Sequence, residues 1–69
     1  MYRVGKCRLA EHLYSRGMTQ TDLAIKTGYS TSTISDYINN KRRMGIERAM
    51  NISSALNCSI DDLYDWVKE

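Results

Sequence analysis

Sixty-nine residues, 42% apolar and 26% charged, make ordinary globular composition rather than disorder and leave room for one small domain, residues 1–69. No apolar run reaches the ~18 residues that span a membrane, and no signal-peptide pattern follows Met1, so a soluble cytoplasmic protein is expected. Residues 1–43 hold eight Lys or Arg against three carboxylates, net +5, and residues 44–69 hold two against five, net −3, which suggests a polyanion docking on one side only.

In chain order, residues from about Val4 to Arg16 read as a first helix. Leu9 and Leu13 form its apolar stripe, widened by Ala10 and Tyr14, and Arg3, Lys6, Arg8 and Arg16 keep the remainder basic. Gly17 stops it, as a residue without Cβ does just past a helix end. His12 has no acidic or thiol partner at a suggestive spacing and reads as a surface residue.

Thr19-x-x-Asp22 opens a second helix, about Gln20 to Thr27, as a capping-box variant. The hydroxyl covers an orphan amide and the carboxylate sits on the positive helix end. Leu23 and Ala24 face the core, and Ala24 is small enough to let a neighbouring helix approach. Gly28 marks a sharp turn through positive φ. Ser30 then opens a third helix, about Thr31 to Asn39. Ile34, Tyr37 and Ile38 share one face of it. Ser32, Ser35, Asp36 and Asn39 share the opposite one, with Thr31 at its edge. Asn39 and Asn40 suit the left-handed conformation that ends a helix, and Lys41, Arg42 and Arg43 follow at once.

A fourth helix is expected over about Ile46 to Leu56, with Gly45 as N-cap, Asn57 beyond its end, and Ile46, Ala49, Met50, Ile52, Ser53 and Leu56 at 3- and 4-residue steps. Ser59-x-x-Asp62 repeats the capping signal and predicts a fifth helix with Ile60, Leu63, Tyr64 and Val67 on one face. Trp66, at the flank of that face, is expected to pack into the core; a partner-facing contact is its alternative. No strand alternation, repeat, linker or proline appears, so the expected fold class is all-α, a compact five-helix domain.

Two short helices across a Gly turn, the second outwardly polar, suit a major-groove reader, because the groove admits one helix and base edges are read by hydrogen bonds. Periodicity alone fits two amphipathic surface helices equally well. Cys7 and Cys58 are isolated, with no CxxC and no His nearby, and read as small buried hydrophobes; spacing does not exclude a disulfide. No metal-spaced cluster, phosphate loop or nucleophile elbow appears, so no cofactor and no enzyme activity are expected.

The order of residues also matches something specific. RLAEHLYSRGMTQTDLAIKTGYSTSTISDYINNKRR, followed by ISSALNCSIDDLY, resembles the Cro/C1-type helix-turn-helix family of phage repressors and bacterial transcriptional regulators. The resemblance spans roughly residues 8–64. It rests most on Gly17-Met18-Thr19-Gln20, Leu23-Ala24, Gly28, Ser30-x-x-x-Ile34-Ser35, Lys41-Arg42 and Ala55-Leu56-x-x-Ser59-x-Asp61-x-Leu63. It implies a lambda-repressor-like domain working as a homodimer on a two-fold operator in double-stranded DNA. The second helix would cross the backbone and the third enter the major groove.

By position, Thr31, Ser32, Ser35 and Asp36 would face base edges. Gln20, Asn39, Lys41, Arg42 and Arg43 would approach the backbone. Three departures stand out: Asn40 where Gly is usual, Ile38 at a position often acidic, and Ser53 at one usually alanine. The reading face also lacks Gln and Arg, which predicts modest direct readout with DNA shape carrying more. The competing reading is a protein-interaction module, antirepressor- or antitoxin-like, that keeps the fold and uses the acidic C-terminal part to hold a regulatory protein partner.

Overall fold

A computed structural model describes residues 1–69 as β1 (Tyr2–Cys7), α1 (Leu9–Ser15), α2 (Gln20–Thr27), α3 (Thr31–Ile38), α4 (Ile46–Leu56), a 3₁₀ turn (Ile60–Leu63) and β2 (Tyr64–Lys68). The second and fourth helices have the bounds expected from sequence. The third is one residue shorter, because Asn39 serves as its C-cap. The all-α, five-helix expectation is corrected at both ends of the chain. Residues 2–7 form a strand rather than the start of a helix over Val4–Arg16, and the fifth helix is replaced by one 3₁₀ turn and a second strand.

The two strands pair antiparallel, with Tyr2 opposite Lys68, Arg3 opposite Val67 and Val4 opposite Trp66. The register then slips by one residue before Cys7 meets Tyr64. A Cβ on Gly5 would lie 3.0 Å from the Asp65 carbonyl oxygen and 3.1 Å from its Cβ, so the bulge needs glycine for close backbone approach. Arg3–Glu69 and Arg8–Asp65 ion pairs accompany the ribbon; they are exposed and contribute little.

Why the capping box of Ser59 and Asp62 launches only four helical residues follows from what its carbonyls bond. A continuing α-helix would use the carbonyls of residues 61–63 for amides four positions on. Instead the Asp61 carbonyl accepts from Trp66 Nε1 at 2.9 Å, Asp62 from His12 Nε2 at 2.8 Å, and Leu63 from the Arg8 amide at 2.8 Å. His12, expected as a plain surface residue, is therefore a half-buried strut between α1 and the 3₁₀ turn. Beyond the turn, aromatic and β-branched residues 64–67 favour a strand once a partner is present.

The core is built from Cys7, Leu9, Leu13, Leu23, Ile34, Tyr37, Ala49, Ile52, Leu56 and Leu63. It receives the apolar stripe of each helix, so α2 and α3 are held against α1 and α4 rather than against each other alone. Ser53, where alanine is usual, is buried, and its hydroxyl donates to the Met50 carbonyl at 3.0 Å. Arg16 Nε donates to the Leu56 carbonyl at 2.7 Å, closing the end of α4 from α1.

Some expected core members lie outside. Ala10 and Tyr14 are exposed, Ile46 is 84% exposed, Met50 is exposed, and Trp66 is 47% exposed rather than packed in the core. Cys7 is buried and Cys58 half-buried, and both are free thiols. Burial pushes both thiols above their ordinary range, which suits packing rather than redox chemistry.

Candidate nucleic-acid interface

The helix-turn-helix is assembled by local chemistry. Thr19 Oγ1 accepts from the Asp22 amide at 3.1 Å, and an Asp22 carboxylate oxygen accepts from the Thr19 amide at 2.9 Å, so the capping box is complete. Gly28 ends α2 at φ 79, left-handed backbone that a β-carbon would strain, and its amide reaches the Ala24 carbonyl at 2.8 Å. Ser30 Oγ then accepts from the Thr33 amide at 3.1 Å and starts α3. One exit and one entry signal thus set the angle between the two helices.

Along α3, Ile34 and Tyr37 are buried and Ile38 is half-buried. Thr31, Ser32 and Asn39 are exposed, and Ser35 and Asp36 are half-exposed. Asn39 Nδ2 donates to both the carbonyl and the hydroxyl of Ser35, at 3.0 and 3.2 Å, so these two side chains are tied together. Gln20 is exposed at the first position of α2 and shares a recess with Ile38 of α3.

The loop after α3 is fixed at both ends. Asn40 takes the left-handed conformation at φ 59, its amide reaching the Tyr37 carbonyl at 3.2 Å and the Lys41 amide the Asp36 carbonyl at 2.9 Å. This is the Schellman pattern of a helix C-terminus. Asn40 Oδ1 also accepts from the Cys7 amide of β1 at 3.0 Å, a bond glycine would not make. At the far end, the Met44 amide donates to the Tyr64 hydroxyl of β2 at 3.0 Å. Burial raises the Tyr64 pKa above the phenol range, so Tyr64 stays a neutral acceptor. Lys41, Arg42 and Arg43 are therefore carried on a segment strapped to the terminal ribbon. Sequence spacing could not reveal either strap, since the partners are 33 and 20 residues apart.

The charges are distributed to match. The protein's ion pairs involve only Arg3 and Arg8. Lys41, Arg42 and Arg43 are exposed and carry no carboxylate partner. A cation already paired has less to offer a phosphate; these three are unspent. No group of His, Cys, Asp and Glu is arranged to hold a metal, and no helix is long and apolar enough to cross a membrane.

Comparison with known proteins bears on the same residues. The family profile of the Cro/C1-type HTH DNA-binding domain matches residues 8–69. The chain is 38% identical over 60 residues to the uncharacterized SPbeta prophage-derived HTH-type transcriptional regulator YotL of Bacillus subtilis (strain 168), covering 86% of this chain and 75% of that one. It is 33% identical over 67 residues to YopS, a second such regulator from the same prophage and strain, covering 96% and 90%. Among solved structures, the restriction-modification controller protein C.AhdI from Aeromonas hydrophila superposes with a TM-score of 0.76 at 23% identity, over 81% of this chain and 85% of that one. The transcriptional regulator VanUg superposes with a TM-score of 0.73 at 25% identity, over 99% and 89%.

Proposed function

The chain belongs to the Cro/C1-type helix-turn-helix family of DNA-binding transcriptional regulators, which are not enzymes, and on that premise we propose that it is a sequence-specific repressor of phage or prophage type. Residues 1–69 act as one DNA-binding domain in the cytoplasm. In this reading α3 enters the major groove of the operator. Thr31, Ser32, Ser35 and Asp36 meet base edges, and Gln20, Asn39, Lys41, Arg42 and Arg43 hold the backbone. Short hydroxyls pair with several bases or touch a thymine methyl, and Asp36 accepts from a cytosine amino group.

The observation that carries this reading is the unpaired cationic segment placed directly after the polar face of α3 by two long-range hydrogen bonds. A merely solvated charge run needs no such anchoring. Comparing Ser32→Ala and Asp36→Ala with Arg42→Ala on operator and random duplex tests the roles. The first two change sequence preference, and the third weakens all duplexes alike. Equal losses on both duplexes from all three variants would refute the assignment.

Operator binding as a two-fold pair fits a second feature. Between the ribbon and α4 runs an apolar groove of about 220 Å³, whose lining includes Val4, Met44, Ile46, Tyr64 and Trp66. Ile46 and Trp66 leave apolar surface exposed along this groove, which a second copy would cover. We place the self-association contact here, with the two α3 helices about 34 Å apart on DNA. Ile46→Ser and Trp66→Ser, both charge-neutral, then lower the sedimenting mass on operator DNA from two copies to one. An unchanged mass with both variants would remove the groove from the dimer. Loss of a different protein partner instead would favour the interaction-module reading.

A further inference from the structure

Tyr29 is the last residue before the N-cap of α3, and it is fixed from two sides by α4. Arg48 lays its guanidinium over the ring, 4.4 Å from the centroid. Asn51 Nδ2 donates to the Tyr29 hydroxyl at 2.9 Å. The ring is half-buried and packs against the core, so the platform beneath Arg48 does not move freely. Arg48 itself is exposed and takes no part in an ion pair.

Stacking uses the flat face of a guanidinium and leaves its in-plane N–H donors free. Such a stack holds an exposed side chain in one orientation, at a gain of about 0.5–1 kcal/mol. Arg48 is therefore a permanently charged group held over the Tyr29 ring, with no carboxylate taking up its donors. It lines a recess together with Tyr29, Arg42, Gly45 and Glu47. The recess lies between the turn that starts α3 and the cationic segment that follows it. In the DNA-binding reading, a strand bordering the groove that α3 enters would pass this point.

We propose that Arg48, held on Tyr29 and facing the same recess as Arg42, is a phosphodiester-binding subsite for the DNA backbone beside the bases that α3 reads. The inference rests on the DNA-binding reading above and extends its footprint to α4. The ligand chemistry is a singly charged tetrahedral oxyanion, which a guanidinium fork engages with two parallel hydrogen bonds. Tyr29 and Asn51 are positioning residues: they aim Arg48 and do not touch the phosphate. Nothing in the sequence marks Arg48, which falls in the half of the chain with net negative charge.

The test is a salt titration on a short random-sequence duplex, which isolates the backbone grip from base reading. Each phosphate contact contributes about 0.9 to the slope of log affinity against log salt. Arg48→Ala is expected to reduce that slope by about 0.9 per bound copy and to weaken operator and random duplex equally. Arg48→Lys keeps the charge and restores the slope, while affinity stays below wild type because the fork and the stack are lost. Asn51→Ala lowers affinity with the slope intact, the signature of positioning without contact. Circular dichroism of these variants matches wild type, since both altered positions, Arg48 and Asn51, are exposed.

An Arg48→Ala protein with wild-type slope and affinity, alongside an Arg42→Ala protein whose slope falls, overturns the proposal and leaves the DNA-binding reading standing. Wild-type protein that binds no duplex at any salt concentration overturns both.

Discussion

Asn40 stands where glycine is usual in the family the chain belongs to, and the structure supplies a reason that a substitution can measure. Its backbone is left-handed at φ 59, and its Oδ1 accepts the Cys7 amide at 3.0 Å. Glycine would satisfy the first requirement but not the second, and alanine neither. Leaving a part-buried amide without its acceptor costs about 1–3 kcal/mol. Forcing an ordinary L-residue into left-handed backbone adds about 1–2 kcal/mol. Asn40→Ala is therefore expected to lose about 2–5 kcal/mol, summing the lost acceptor and the backbone strain. Asn40→Gly, with the strain relieved, is expected to lose about 1 kcal/mol.

A 69-residue domain has on the order of 3–10 kcal/mol in total, so the alanine variant lies near the edge of folding. Urea denaturation followed by circular dichroism reads both effects. With m of about 1 kcal/mol/M, the glycine variant moves the midpoint down by about 1 M and the alanine variant by at least twice that, at unchanged m. Equal midpoints for the two variants would refute the left-handed argument. A glycine variant as stable as wild type would refute the side-chain bond.

The other strap carries a pH signature. Burial raises the Tyr64 phenol above its ordinary value, so the unfolded chain gives up this proton before the folded one does. Its contribution is thus complete below about pH 10 and is lost as pH climbs through the folded value. Tyr64→Phe should cost about 1 kcal/mol at neutral pH, from the lost Met44 bond, and should flatten the alkaline fall in thermal stability. An equally steep fall in the variant would assign it to other groups. Cys7 is 5% exposed with its thiol pushed up by burial, so native protein should resist iodoacetamide at neutral pH at that site and react on unfolding; rapid native alkylation of Cys7 would contradict its buried placement. Thr19→Ala should cost about 1 kcal/mol through the loss of the completed capping box, read as a lowered melting temperature.

What sequence could and could not disclose divides by the range of the forces involved. The bounds of α2 and α4 were legible because caps and apolar periodicity act within a few residues: Thr19 with Asp22, Gly28, Gly45 and Asn57 each behave as their local chemistry requires. The polar face of α3 was legible for the same reason. The ribbon was not, since Tyr2-x-Val4 and Tyr64-x-Trp66 are each too short to register as alternation, and each strand exists only because the other lies opposite. The capping box at Ser59 and Asp62 opens a helical turn, as its local chemistry requires, yet no full helix follows. Its carbonyls are taken by Trp66, His12 and Arg8, two of them about fifty residues away in sequence.

The same limit governs the candidate interface. Residues 41–43 announce themselves as a cationic run, but the straps that aim them, Asn40 to Cys7 and Met44 to Tyr64, are tertiary. Trp66 was expected inside because large aromatics usually bury their area. It emerges half-exposed beside Ile46 because the chain turns into a strand at Tyr64 and presents the ring along the groove instead.

The measurement that bears most directly on the central claim is a salt titration of binding to the DNA upstream of the protein's own coding sequence, against random duplex of equal length. A sequence-specific regulator that grips phosphates with Lys41, Arg42 and Arg43 binds the upstream fragment in preference, and both affinities fall linearly on logarithmic axes as salt rises. Binding to neither duplex at low salt would contradict the account.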